Sequence, residues 1–149
     1  MGSEVKRNLR KKLSKFRSIS LDTNIFVYYL DSNSSFYSHA EELFEQIAVR
    51  NLSIFTSVIT LSELLSFKAS RSQIYKLEQE LLLIPNLTMI DVNREVAREA
   101  ASIRREYGFR LPDSIQLATA LIGRTQAFIT NDQRLKKFQE LPIVLLSLQ

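Results

Sequence analysis

Four acidic residues interrupt apolar stretches where ordinary surface charge would not be expected. Asp22 follows Ser18-Ile19-Ser20-Leu21, and Asp132 follows Ile129-Thr130-Asn131. Glu63 stands between Thr60-Leu61-Ser62 and Leu64-Leu65, and Asp113 opens a run from Ser114 to Ile122 that is apolar on nearly every helical face. Singly, each has a structural explanation: Asp113 favours a helix N-terminus, Asp132 caps a turn, Asp22 bonds a loop amide, and Glu63 pairs with an arginine such as Arg110. Brought together, they carry chemistry. Clustered carboxylates raise one another's pKa values unless a cation neutralises them. Arginine can supply that charge, but an all-oxygen set is what Mg²⁺ or Mn²⁺ prefers. Metal-bound water is a nucleophile suited to phosphodiester cleavage.

The rest of the composition removes competitors. The chain has no cysteine and a single histidine, His39, which reads as a surface or capping residue near a helix start. Thiolate metal sites, disulfides and cysteine catalysis are excluded. No glycine-rich phosphate loop is present, which weakens a nucleotide-binding reading. An aspartyl-phosphate phosphatase is a poor rival, since Asn24 stands two positions after Asp22, where that chemistry wants a second Asp. No apolar run reaches the roughly 20 residues of a membrane span, and no signal-peptide pattern follows the basic start, so a cytoplasmic protein without a membrane role is expected.

These acids must be positioned by a fold that 149 residues can build as one domain. Short strands are expected at 18–21, 53–56, 87–90, 127–130 and 143–145, with helices between them. The helices fall at 24–30 (capped by Thr23 or Asn24), around 40–47, at 57–67 (capped by Ser57), at 72–83, at 93–107 ended by Gly108, at 112–122 ended by Gly123, and at 132–138. Alternating strands and helices give a parallel sheet covered on both faces, whose sites lie beyond the carboxyl ends of the strands. Asp22 and Asp132 end two such strands. On the helical wheel Glu63 lies between Ile59 and Phe67, which predicts a carboxylate not freely solvated. Tyr28, Tyr29, Phe36 and Tyr37, at helical spacing, read as core or dimer packing rather than base stacking.

Charge is unevenly distributed. Residues 1–18 carry seven Lys or Arg and one Glu, while the rest carry 13 Lys or Arg against 15 Asp or Glu. Val5, Leu9, Leu13 and Phe16 recur at helical spacing among the basic residues. Residues 1–17 therefore read as a basic amphipathic helix or arm, and 18–149 as the body. Such an arm is able to bind an RNA backbone or another anionic surface, although a solvated face is the plainer reading.

The acidic motifs also resemble a known family. Leu21-Asp22-Thr23-Asn24, Ser62-Glu63-Leu64, Leu111-Pro112-Asp113-Ser114 with Ala118-Thr119-Ala120, and Thr130-Asn131-Asp132 occur in the order and rough spacing of PIN-domain nucleases. Among these they look most like the VapC-type toxin ribonucleases of toxin–antitoxin pairs. The resemblance covers about residues 18–149. It implies a three-layer α/β/α fold with a five-stranded parallel sheet in the order 3-2-1-4-5. It implies that Asp22, Glu63, Asp113 and Asp132 bind Mg²⁺ or Mn²⁺ and catalyse endoribonucleolytic hydrolysis, leaving a 3′-hydroxyl and a 5′-phosphate. Thr23, Asn24, Thr130 and Asn131 match accessory positions, and Arg110 is a candidate phosphate contact. An antitoxin partner and a homodimer are further implications. Some relatives carry another acid just after the last Asp; here Gln133 and Arg134 follow. The rival expectation is a catalytically silent PIN-like module that binds RNA or protein.

Overall fold

The structure, a computed structural model, describes residues 2–147, apart from the side chains of Ser3 and Val5. Val5 of the basic stripe therefore lies outside the described side chains. Five parallel strands, β1 (Ser18–Leu21), β2 (Ser53–Ser57), β3 (Leu87–Ile90), β4 (Phe128–Thr130) and β5 (Ile143–Leu145), form one sheet in the order β3-β2-β1-β4-β5. This is the expected α/β architecture. Central β1 and β4 bury almost every residue because helices cover both faces, whereas the edge strands β3 and β5 are only partly buried. The chain builds β2 and β3 on one side of β1 and then returns to place β4 on the other. The carboxyl ends of β1 and β4 thus border the crevice where the strand order reverses. Asp22 and Asp132 follow those two ends.

One apolar core joins Ile19, Leu21, Ile54 and Ile129 of the sheet to α1 (Gly2–Leu13), α2 (Thr23–Leu30), α3 (Tyr37–Arg50) and α5 (Arg71–Leu82). The other packs Phe128 against α6 (Arg94–Tyr107), α7 (Leu111–Ile122) and the 3-10 helix Gln133–Lys137. Leu9, Leu13 and Phe16 are buried in the first core, so the apolar stripe of the basic segment is docked. Arg50 fastens its end by donating to the carbonyls of Leu13, Ser14 and Phe16. Tyr29 stacks on Phe44 and Tyr28 lies against Phe36, which places both tyrosines in packing. Among the described residues no helix is long and apolar enough to cross a membrane.

Several local expectations change. The cap of α2 is Asp22 itself, not Thr23 or Asn24. The helix after β2, α4 (Ile59–Leu64), stops short of Phe67. The Ser66 hydroxyl donates to the Ser62 carbonyl, and Ser70 with Gln73 then forms a capping box that starts α5. Ser57 still supports the start of α4, its hydroxyl accepting from the Ile59 amide, although Val58 occupies the cap. The segment after Asp132 is 3-10 rather than α. His39 does lie in the first turn of α3 but is half-buried, with a buried Nδ1 that has no hydrogen-bond partner.

Candidate active site

The end of β1 delivers Asp22 into the crevice with extended backbone, ready to cap α2. One carboxylate oxygen accepts from the Thr23 amide at 2.9 Å, and the other from the Thr130 hydroxyl at 2.7 Å. Thr130 ends β4 and also accepts from the Asp132 amide at 3.1 Å. A single hydroxyl therefore ties the first acid to the backbone of the last, across two hydrogen-bonded strands.

Beneath Asp22 lies a polar network. The side-chain oxygen of Gln116, on α7, accepts from the Ser57 amide at 3.2 Å, which fixes the orientation of its amide group. Its Nε2 then donates to Thr23 at 3.1 Å and Thr60 at 2.9 Å. Having accepted that proton, Thr23 turns its own toward Glu63, 2.8 Å away. Thr56 donates to the Leu21 carbonyl at 2.8 Å and meets Thr60 at 2.8 Å. Thr56, Thr60 and Gln116 were not singled out by the sequence reading. The available signal was Gln116 itself, a long polar side chain three residues after Asp113 in an otherwise apolar helix.

The four acids occupy different environments. Asp22 and Asp113 are buried, Asp132 is half-buried and Glu63 is exposed. The exposure of Glu63 departs from the wheel argument, because α4 ends at Leu64 and Phe67 does not flank it. Burial pushes the Asp22 carboxyl up to about 6, and the charges of Asp113 and Glu63 push the same way, against the hydrogen bonds from Thr130 and Thr23. Among the described residues, neither Asp22 nor Glu63 has a cation within ion-pair distance. Asp113 is paired with Arg110 at 3.1 Å and lies 3.5 Å from Arg134. Asp132 accepts from Arg134 Nε at 3.0 and 3.2 Å. These bonds from Arg134 hold the Asp132 carboxyl below the usual carboxylate range.

The acids therefore face one crevice but are not drawn into a ready cage. Among the described residues, no three acidic or histidine side chains are grouped closely enough to hold a metal ion as they stand. The Arg134 guanidinium, contacting both Asp113 and Asp132, holds those two carboxylates. Two features nonetheless suit an oxygen-seeking cation: the uncompensated buried charge of Asp22, and the buried Asn24 Oδ1, which has no hydrogen-bond partner. Asn131 plays another part, its Oδ1 accepting from the amide and hydroxyl of Ser147, so it joins the ends of β4 and β5.

The PIN domain family model matches residues 19–141, a span that holds all four acids. The chain belongs to the PIN-domain family. This PIN domain superimposes on a chain of the VapBC2 complex of Rickettsia felis bound to promoter DNA with a TM-score of 0.70 at 21% identity, covering 86% of this chain and 98% of that one. A DNA-bound VapBC from Salmonella typhimurium gives 0.68 at 19%, and a toxin–antitoxin complex from Klebsiella pneumoniae 0.60 at 25%, each covering 87% of this chain and 98% of the other. No curated protein matches the sequence significantly. The basic helix α1 lies outside the span matched by the PIN family model.

Proposed function

We propose that this PIN domain is a Mg²⁺- or Mn²⁺-dependent endoribonuclease and the toxin of a toxin–antitoxin pair. The observation that carries the reading is Asp22: a buried carboxylate raised by burial and by two other acids, with no cation of its own. Asp22, Glu63, Asp113 and Asp132 would hold the ion, with the orphaned Asn24 oxygen beside them. A bound ion would supply an activated water and offset charge developing on the scissile phosphate. The protein's own contribution is placement. Thr130 and Thr23 fix the Asp22 carboxylate, Gln116 directs the Thr23 hydroxyl at Glu63, and Arg110, whose side chain is 67% exposed, is free to contact a phosphate while it touches Asp113.

Partnership with a small antitoxin rests on the structural neighbours, which are toxin–antitoxin complexes. The antitoxin would dock over the acidic crevice and insert a basic side chain among the acids. A homodimer and a cytoplasmic location belong to the same reading; a monomeric mass in light scattering removes the dimer.

A second reading has its own observation: Arg110 and Arg134 already neutralise Asp113 and Asp132, as they would in a silent RNA- or protein-binding PIN domain. Sequencing the fragments made from total RNA by the wild type and by Asp113→Asn separates the two. Discrete fragments with 5′-phosphate ends, absent with the variant, are expected. Identical RNA from both proteins selects the silent module.

A further inference from the structure

The basic helix α1 is fixed against the body, and its lysines do not point at random. Lys12, half-buried, donates its ammonium to the Leu145 carbonyl at 2.8 Å. Leu145 is the register partner of Thr130, the residue that bonds Asp22. Neighbouring strands lie about 4.8 Å apart, so Lys12 is anchored one strand over from the residue that anchors Asp22. Around it a groove of about 330 Å³ runs along the edge strand β5, lined by Lys12, Lys15, Phe16, Lys136, residues 142–145 and Ser147. None of its lining residues is acidic. Lys12, Lys15 and Lys136 take no part in the ion pairs of the described residues. Lys136 belongs to the short 3-10 helix that Asp132 caps, which links one wall of the groove to one of the four acids. Lys12 is also pushed below its usual pKa, by burial and then by the charge of Lys136, as expected of cations gathered without a counter-ion.

We propose that Lys12, Lys15 and Lys136 form a phosphate track that carries single-stranded RNA from the acidic crevice along the β5 edge. The proposal rests on the ribonuclease reading and assigns a role to α1, a helix beyond the matched PIN span. Charge chooses the occupant: a polyanion with regularly spaced charges satisfies three lysines that line one groove free of acidic residues.

The test measures binding of a fluorescein-labelled single-stranded RNA to the full chain in excess EDTA, by anisotropy over a range of salt concentrations. Each lost phosphate contact lowers the slope of log K against log salt by about 0.7 for single strands. Lys15→Gln with Lys136→Gln, both at exposed positions, is expected to lower it by about 1.4. Lys15→Arg with Lys136→Arg is expected to retain the wild-type slope, and Lys76→Gln with Arg98→Gln, which removes equal charge elsewhere, to leave it unchanged. An unchanged slope in the first variant, while the wild type still cleaves RNA with metal, overturns the track and leaves the nuclease standing. A wild type that neither binds nor cleaves RNA overturns both. Lysine-dependent binding to phosphatidylserine vesicles, with RNA affinity unaffected by the Gln pair, overturns the track in favour of a membrane surface.

Discussion

At the scale of single residues, Asp22 shows a conflict between stability and binding. An acid whose folded pKa is raised to about 6 binds its proton more tightly in the folded chain than in the unfolded one. The metal-free protein should therefore lose stability as pH rises from about 4 to about 6 and change little from this group above that. The shift corresponds to about 3 kcal/mol. Asp22→Asn, which keeps an acceptor for the Thr23 amide, is predicted to stabilise the metal-free protein at neutral pH by up to that amount, read in urea melts at pH 7 and repeated near pH 4. A variant less stable than wild type at neutral pH contradicts the assignment of uncompensated charge. Arg134 is the complementary case. It contacts two of the four carboxylates, those of Asp113 and Asp132. Arg134→Gln is predicted to tighten Mn²⁺ binding, read as a lower calorimetric Kd; weaker binding would mean that the guanidinium organises the site instead of competing for it.

At the scale of elements, the network beneath the site shows what a sequence conveys and what it withholds. The strands that lead up to Asp22 and Asp132 were readable because short apolar stretches halt abruptly before a charge. The early stop of α4 was not readable: 65–69 contains no glycine or proline, and the break comes from a Ser66 back-bond and a competing cap at Ser70. That break left Glu63 exposed, where a continuous helix would have covered it. Gln116 was hidden for another reason, since only tertiary packing shows that its amide meets Ser57, Thr23 and Thr60 together. Gln116→Ala would leave the buried Ser57 amide short of an acceptor and Thr60 short of a donor. It is predicted to cost about 2–3 kcal/mol in chemical denaturation, with reduced metal affinity because Thr23 no longer directs its proton. Stability unchanged within error would show that the network is dispensable.

At the scale of the whole molecule, the reversal of strand order beside β1 decides where the acids meet; the alternation of strands with helices announced a covered parallel sheet, while its strand order was legible only through the resemblance to PIN domains. The position of the basic helix was harder to foresee. Its apolar stripe was visible in Leu9, Leu13 and Phe16, but the surface that receives it is assembled from α3, the sheet and the chain's last strand. Leu13 is fully buried, so Leu13→Ala is predicted to cost about 2–5 kcal/mol in urea melts. A cost under 1 kcal/mol would mean that α1 is only loosely attached and that its lysines are not held in place.

Uptake of a divalent ion by the crevice through Asp22 decides between a nuclease and a silent module. Titrating Mn²⁺ into the metal-free protein near neutral pH, in parallel with Asp22→Asn, measures this directly. Saturable heat in the wild type that disappears in the variant is the predicted result. No heat in either protein, or equal heat in both, would leave a PIN domain whose acids serve its fold and its arginines alone.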